Sequence, residues 1–452
     1  MNRSLLMLVA SALVALSGCS LVLDLPADCR VEDCGGYQCN AEGTGCLLAC
    51  EGGQDCGEGF VCDGGRCLET GCSPQGELIE FLPAASTSDL SMAYNGEAIG
   101  AVHLDATGLV FTRVDKLGRP QGSPLGLALP GEDPKNPALI WNGDVWAVVW
   151  EASARVNGES QEQLRFAVID VGGEFDVEPK TLWFTTEDRM TGRIEKSVDG
   201  PSIDWDEQRG RFAVVWTTVV DTSDVYLMIV NKDGTSLEGE RDIPHSAGVQ
   251  ITFTQEDAVE PIILTRSADV YDVAYREGAA SVNLVLRTVS LDGQRQGTDV
   301  NISTTQDRVL SHGHARITTG TILAFTEQSG DEGLLFRAQI KRDRAIAGGS
   351  KLPIEQGFDT VRDATVAGGP DAQYAAVFVA ERDGRSEVFM ARFKDNGARI
   401  AAPFSLTDLL SRAPSEPVVA STDEGFVVLH QENEGAGAGT VLGRHWICTP
   451  PE

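Results

Sequence analysis

The chain has 452 residues, with 36 Lys and Arg against 67 Asp and Glu, so its formal net charge is −31 at pH 7. This acidity excludes nucleic acid as a partner, because a protein that neutralises phosphates needs a basic face. It also excludes binding to an anionic lipid surface by charge alone, while 42% hydrophobic and 23% charged residues indicate a folded globular chain.

The first twenty residues have the features of an export signal. Arg3 supplies a positive charge, and residues 5–16 are apolar but too few to span a bilayer stably. The stretch ends in Leu16-Ser17-Gly18-Cys19, which resembles the bacterial lipobox. That resemblance implies a signal peptide over residues 1–18 and an acylated Cys19 at the start of a lipidated tether over 19–28. An ordinary signal peptide with a chance cysteine is the competing interpretation.

The residue after Cys19 bears on the location of the protein. Ser20 stands where a retention Asp would lie. By the same resemblance we expect lipid anchoring in the outer membrane of a Gram-negative cell, with the periplasmic and surface sides both open. The lipid anchor then makes the membrane a partner.

Residues 29–72 form a cysteine-dense segment that holds nine of the eleven cysteines. Because an exported chain meets an oxidising compartment, we expect disulfides here. A zinc cluster is the alternative, but the segment has no His and no CxxC pair. The run from Phe60 to Cys67 resembles the last turn of small modules of the EGF or Dickkopf N-terminal kind. The sequence does not choose the pairing among eight cysteines: Cys29, Cys34, Cys39, Cys46, Cys50, Cys56, Cys62 and Cys67.

From about residue 76 onward one unit recurs. It has an apolar first strand, often after Pro, a polar turn, a second strand such as residues 146–150, a third strand, a tight turn and an outer strand. The first strands start near residues 90, 137, 201, 261, 315, 364 and 417. Four strands per unit without a helical pattern predict an all-β fold, a seven-bladed β-propeller over residues 73–452 that follows the small disulfide-rich module. A solenoid of stacked strands is the alternative.

The two ends of the repeat region complement each other. The seventh unit stops after its third strand at Cys448, and residues 76–82 have the pattern of an orphan outer strand. We expect this N-terminal strand to complete blade seven, so that no strand edge stays open inside the ring. Cys72 and Cys448 would then lie where other blades have the tight turn, and a disulfide between them would replace that turn.

The chain lacks the common catalytic motifs. It has no GxSxG elbow, no P-loop and no dinucleotide glycine pattern. His312-Gly313-His314 could ligate a metal, but no neighbouring pattern supports a site. We therefore predict no metal centre, no cofactor and no catalytic residue, and we allow only a surface-bound divalent cation.

Acidic residues recur just after the second strand of each unit. If they occupy equivalent positions, they form an acidic rim on one face of the propeller, suited to a cation, a basic peptide or a cationic glycan. Charge placed at strand ends for solubility is the alternative. The residues are Asp105, Glu151, Asp221, Glu277, Glu327, Glu381 and Glu432.

These features predict a membrane-anchored, extracytoplasmic scaffold that binds a protein or glycan ligand and is not an enzyme. One alternative is a polysaccharide-active hydrolase or lyase, which would need two carboxylates at glycosidase separation in the central cleft. A second alternative is a subunit of an outer-membrane assembly. The whole chain resembles predicted lipoproteins, common in myxobacteria-like genomes, that join a cysteine-rich head to a propeller, and most of these have no assigned activity.

Overall fold

A computed structural model represents the chain, and its contacts divide it into two units, Met1–Glu69 and Thr70–Glu452. Among the described residues there is no helix long and apolar enough to cross a membrane. The described residues are 38, 47, 49, 56, 60–63, 66–69, 71–82, 86–156, 159–185, 187–188, 193–194, 197–219, 222–236, 248–253, 256–267, 270–278, 283–290, 292–303, 308–329, 332–341, 358–382, 384–401, 403–407, 414–432 and 440–448.

The first unit contains a short antiparallel hairpin of β1 (Phe60–Asp63) and β2 (Arg66–Glu69). A disulfide joins Cys56 to Cys67, which fixes one pairing that the sequence left open. The predicted signal peptide, the lipobox and the tether lie outside the described residues, as do Cys19, Cys29, Cys34, Cys39, Cys46 and Cys50.

The second unit is a propeller of seven antiparallel sheets, which confirms the predicted all-β fold. Six blades have four strands and the fifth has three described strands. Strands are numbered along the chain. Blade 1 contains β4 (Ser86–Tyr94), β5 (Ile99–Asp105), β6 (Gly108–Val114) and β7 (Leu125–Gly126); blade 2 contains β8 (Asp133–Trp141), β9 (Trp146–Val156), β10 (Glu159–Ile169) and β11 (Phe175–Phe184). A small hairpin of β12 (Glu187–Asp188) and β13 (Arg193–Ile194) follows.

The remaining blades repeat this order. Blade 3 contains β14 (Ser197–Asp206), β15 (Arg211–Val219), β16 (Ser223–Asn231) and β17 (Val249–Gln250); blade 4 contains β18 (Ala258–Ser267), β19 (Val270–Glu277), β20 (Asn283–Ser290) and β21 (Val300–Asn301). Blade 5 contains β22 (Arg308–Ile317), β23 (Gly320–Ser329) and β24 (Glu332–Lys341); blade 6 contains β25 (Thr360–Gly368), β26 (Gln373–Arg382), β27 (Arg385–Lys394) and β28 (Phe404–Ser405). Blade 7 contains β29 (Pro414–Ser421), β30 (Gly425–Glu432), β31 (Thr440–Cys448) and, from the start of the unit, β3 (Cys72–Leu82).

Blade 7 closes the ring in the predicted way. β3 pairs antiparallel with β31, and Cys72 lies opposite Cys448 in that pairing. The two cysteines form a disulfide across 376 positions of sequence. This confirms both the strand exchange and the cross-link that the sequence predicted.

The hydrophobic cores lie between neighbouring blades rather than within one sheet. Second strands such as β9 are apolar on both faces, because each face packs on an adjacent blade; Trp146 and Trp150 are fully buried. The seam between blades 7 and 1 is built alike, with Ile99 of β5 clustered with Val427 and Leu429 of β30. Apolar packing therefore continues around the ring, and the innermost strands are left to line its axis.

The innermost strand of every blade has a break in its pairing near its start. At five of these breaks one residue has a left-handed backbone: Asn136 (φ 46°), Gly200 (φ 55°), Glu260 (φ 50°), Asp363 (φ 52°) and Glu416 (φ 47°). For a residue other than glycine this conformation costs about 1–3 kcal/mol and is concentrated at functional sites. Such bulges also redirect side chains. The breaks thus mark one end of the central channel, which we call the bulge mouth.

Candidate functional site

The bulge mouth brings two carboxyl groups together at the junction of blades 2 and 3. Glu151 lies on β9 and pairs with Lys135, the residue directly before the bulge of β8. Asn136 Nδ2 donates a hydrogen bond to Glu151 Oε1 at 2.5 Å and lies 3.5 Å from Asp199 Oδ1. The backbone N–H of Gly200 also donates to Glu151 Oε1, at 2.8 Å. One amide nitrogen therefore bridges two carboxyl groups, and the bulge of the next blade fixes one of them.

The spacing of this carboxyl pair is chemically informative. Two oxygens that contact the same nitrogen cannot be farther apart than the two contact distances together. Glu151 Oε1 and Asp199 Oδ1 are therefore no more than about 6 Å apart, which is compatible with the about 5–5.5 Å between the carboxyl groups of retaining glycoside hydrolases. Two carboxylates at glycosidase separation in the central cleft are what the sequence analysis required of a polysaccharide-active enzyme, and this pair is the candidate for them.

The two carboxyl groups differ in environment. Glu151 is 6% exposed and Asp199 is exposed. Burial, reinforced by the charge of Asp199, raises the pKa of Glu151 to about 7, although the hydrogen bonds from Asn136 and Gly200 act in the opposite direction. Carboxyl groups in different environments take different roles in catalysis. The raised pKa allows Glu151 to hold a proton near neutral pH.

The junction of blades 4 and 5 has a related but cationic arrangement. Arg276 pairs with Val259, directly before the bulge of β18, so it occupies the position that Glu151 occupies in blade 2. Its guanidinium forms an ion pair with Glu260 and donates to the carbonyls of Val309 and Leu310, each at 3.1 Å. Like Glu151, this side chain joins its own blade to the bulge of the next one.

His312 and His314 lie on β22 beside this second junction. The side chain of His312 is 2% exposed, its Nδ1 is 4.0 Å from Glu260 Oε2, and neither ring nitrogen has a hydrogen-bond partner in the described part of the chain. Burial, aided by Arg276, lowers the pKa of His312 to about 3, and burial lowers that of His314 to about 4. Both imidazoles are therefore neutral. The described residues contain no group of three or more His, Cys, Asp or Glu that could hold a metal ion.

The acids of the predicted rim occupy different positions along their strands. Glu151 and Glu327 pair with the residue directly before a bulge. Glu277 and Glu432 lie one residue farther along, and Glu381 two. Because successive side chains on a strand point to opposite faces, these acids do not form one ring of equivalent groups.

The other members of the set differ again. Asp105 ends β5 and accepts hydrogen bonds from Thr107 in the following turn, and Asp221 lies outside the described residues. Binding of a cation or a basic ligand by these acids stays a prediction.

Sequence reasoning found Glu151 but missed its two partners. Asn136 and Asp199 precede the apolar first strands, where they look like ordinary loop residues. The available signal was the proline that follows each bulge, in Asn136-Pro137 and Gly200-Pro201. This proline marks the break in strand pairing at which β8 and β14 direct polar residues toward the neighbouring blade.

The fold places the chain in the class of seven-bladed β-propeller proteins. No protein-family model matches it, and no curated protein matches its sequence. Solved structures of similar fold include an ulvan lyase from a new family of polysaccharide lyases (9% identity, 81% of this chain and 95% of that one, TM-score 0.48). Others are the Bacteroides thetaiotaomicron endo-arabinase (10%, 56% and 95%, TM-score 0.35) and the catalytic domain of the Coprinopsis cinerea α-L-arabinofuranosidase (12%, 58% and 93%, TM-score 0.32).

These comparisons correct one expectation. The sequence predicted a chain that is not an enzyme, whereas the similar solved structures include an endo-arabinase, an α-L-arabinofuranosidase and a polysaccharide lyase. The expectation is wrong, and the non-enzymatic scaffold is not retained. At these identities the likeness describes the fold alone, so the reaction has to be argued from the residues of this chain.

Proposed function

We propose that the chain is a polysaccharide-active hydrolase whose acid–base pair is Glu151 and Asp199 at the bulge mouth. The observation that carries the proposal is the Asn136 amide shared by two carboxyl groups, one buried and one exposed. The raised pKa of Glu151 suits a general acid at neutral pH. The exposed Asp199 carboxylate suits the partner role of nucleophile or base.

The geometry supports a retaining hydrolysis. Glu151 gives its proton to the glycosidic oxygen as the C–O bond breaks, and the Asp199 carboxylate attacks the anomeric carbon to form a glycosyl ester. Water then attacks that carbon, Glu151 takes back a proton from the water, and Asp199 leaves as a carboxylate. Asn136 contacts both carboxyl groups and is a positioning residue.

The charge of the mouth indicates the substrate class. A chain with a net charge of −31 and two carboxyl groups at its site repels a polyanionic chain. Lyases act on uronate-containing polyanions, so hydrolysis of a neutral glycan fits this site better than elimination.

The test is turnover of purified full-length chain on neutral and uronate-containing polysaccharides, assayed by reducing ends and by the ultraviolet absorbance of unsaturated products. We expect reducing ends from a neutral glycan, and loss of activity in Glu151→Gln and Asp199→Asn. Glu327→Gln is a matched control, since Glu327 is also buried and has the same position in its strand. Turnover of no substrate, full activity of Glu151→Gln, or unsaturated products from uronate glycans would overturn the proposal.

We also propose that Cys19 carries the lipid that anchors the chain in the outer membrane, with residues 19–28 as tether and the module of 29–72 before the propeller of 73–452. The lipobox resemblance and the oxidised Cys56–Cys67 and Cys72–Cys448 pairs support an exported protein. Metabolic labelling with an alkyne fatty acid should mark the wild-type chain and not Cys19→Ser. Equal labelling of both would contradict the anchor.

A further inference from the structure

A cavity lies at the outer rim of the propeller, away from the bulge mouth. It has a volume of about 450 Å³ and is bounded by β17 and the residues after it in blade 3, and by the turn after β20 in blade 4. Cavities of about 300–1,000 Å³ with apolar walls and a few fixed polar groups are typical ligand sites. The size is sufficient for a sugar residue or two.

One wall of this cavity is an exposed aromatic ring. Phe253 is 77% exposed, whereas the large aromatic side chains of the described core, such as Phe212 and Phe325, are fully buried. Packing of the fold does not explain an aromatic ring in water, since folding gains little from it. Because this ring lines the cavity, it offers a flat apolar face to a ligand bound there.

The backbone that carries Phe253 is held in place. Ile251 N donates to Val225 O at 2.9 Å, and Thr252 Oγ1 accepts from Val225 N and donates to Asp224 Oδ1, both at 2.8 Å. These bonds fix the residues directly before Phe253 to β16. A platform that is already fixed loses little entropy when a ligand binds.

Two arginines of the cavity lining carry hydrogen-bond donors. Arg287 is buried, with Asp299 bound to its Nε at 3.0 Å and to its Nη2 at 2.6 Å, and its Nη1 donates to Ile251 O at 2.5 Å. Arg295 contacts the same Asp299 through Nε at 3.2 Å, and half of its side chain stays exposed. Asp299 thus orients both guanidinium groups, and the exposed Arg295 is free to meet hydroxyl groups of a ligand.

We infer that this cavity is a second, non-catalytic glycan-binding site, where a sugar ring packs on Phe253 and its hydroxyl groups accept hydrogen bonds from Arg295 and the exposed Gln294. The ligand class rests on the proposed function, a neutral polysaccharide. The site would hold a distant part of the chain whose scissile bond lies at Glu151 and Asp199, and so raise the local substrate concentration.

The experiment is affinity electrophoresis of the full chain in gels containing arabinan, xylan, galactan or β-glucan. We expect retardation of the wild type and about tenfold weaker binding by Phe253→Ala, the effect of losing one aromatic packing contact. Val171→Ala is the matched control, because Val171 is another exposed apolar residue, at the turn after β10. Turnover of a short soluble substrate should be the same in Phe253→Ala and wild type.

The outcomes separate this inference from the proposed reaction. If Glu151→Gln is inactive and Phe253→Ala still binds as tightly as wild type, the second site is refuted and the reaction stands. If Glu151→Gln stays active while Phe253→Ala binds more weakly, the second site stands and the catalytic assignment falls. Absence of retardation of the wild type in all four gels would overturn the second site.

Discussion

The junction of blades 2 and 3 and the junction of blades 4 and 5 are connected by side chains of opposite charge, Glu151 and Arg276. In both, a side chain at the same position of the second strand reaches the bulge of the next blade. Glu151 accepts from the N–H of Gly200, whereas Arg276 donates to the carbonyls of Val309 and Leu310. At these two junctions a side chain of either charge connects neighbouring blades. At the acidic junction Glu151 is a titratable carboxyl group beside Asp199, whereas the guanidinium of Arg276 stays charged. The capacity for acid–base catalysis therefore depends on which charge connects the blades.

The largest expected effect is the loss of turnover at the acidic junction. Glu151→Gln and Asp199→Asn should each lower kcat about 10²–10⁴-fold, because each removes proton transfer or the attacking carboxylate. Arg276→Met, at the corresponding position of the cationic junction, should leave kcat within a few-fold. Steady-state kinetics on the neutral glycan that the wild type cleaves would check this. Equal losses at both junctions would show that the bridge matters structurally and not chemically.

The next effect is the pH dependence that Glu151 contributes at the acidic junction. The pKa of Glu151 rises from 4.5 in the unfolded chain to about 7 in the fold. Between these values the folded protein binds the extra proton, so the contribution of Glu151 to stability falls as pH rises from about 4.5 to 7 and is then level. The change is up to about 3 kcal/mol for this group. The difference in unfolding free energy between wild type and Glu151→Gln, measured with urea across that range, should therefore fall as pH rises. A difference that does not change with pH would contradict the raised pKa of Glu151.

A smaller effect is expected at the cationic junction. Arg276→Met removes the donors to two carbonyls and leaves Glu260 without its ion-pair partner. Since Glu260 is partly exposed, most of the cost comes from the carbonyls, about 2 kcal/mol of unfolding free energy. Glu260→Gln, which keeps the arginine and both carbonyl bonds, is the control and should cost less. Thermal denaturation of the three chains measures the difference, and a larger loss in Glu260→Gln would reverse our assignment.

The smallest effect concerns the bulge itself. Gly200 has φ 55°, and a Cβ there would meet Glu260 Cα at 3.5 Å, an ordinary contact. Gly200→Ala should therefore cost only the left-handed backbone, about 1–2 kcal/mol, with the N–H bond to Glu151 kept and kcat unchanged. A loss of turnover larger than tenfold would mean that Glu151 is positioned less firmly than its hydrogen bonds indicate.

The architecture was accessible to sequence because its signals are local. The glycines of the third turns, at 118, 173, 234, 293 and 397, have positive φ in the structure, as the hairpin spacing predicts. The absence of an outer strand from the seventh unit, together with Cys72 and Cys448, then predicted how the ring closes. Alternating apolar strands between such turns leave few other folds open.

The candidate site was less accessible because it depends on a shift in pairing. A bulge moves the facing strand by one or two residues, so acids counted from the sequence fell into positions that do not coincide, such as Glu151 and Glu277. Asn136 and Asp199 come from different blades and meet only when the sheets pack around the axis. The spacing of Asn136 and Asp199 along the chain therefore does not predict their contact.

The Cys72–Cys448 bridge has a consequence for proteolysis. With the bond formed, the backbone from 72 to 448 is a covalent macrocycle. A protease that cuts one exposed loop between blades then opens the circle without releasing a fragment, and the two pieces remain paired through β3 and β31. With the disulfide intact, one cut leaves a single covalently connected molecule, as in a circular permutant. When the disulfide is reduced, the same cut leaves two chains with no covalent link between them. Redox state therefore sets how many cleavages the propeller survives.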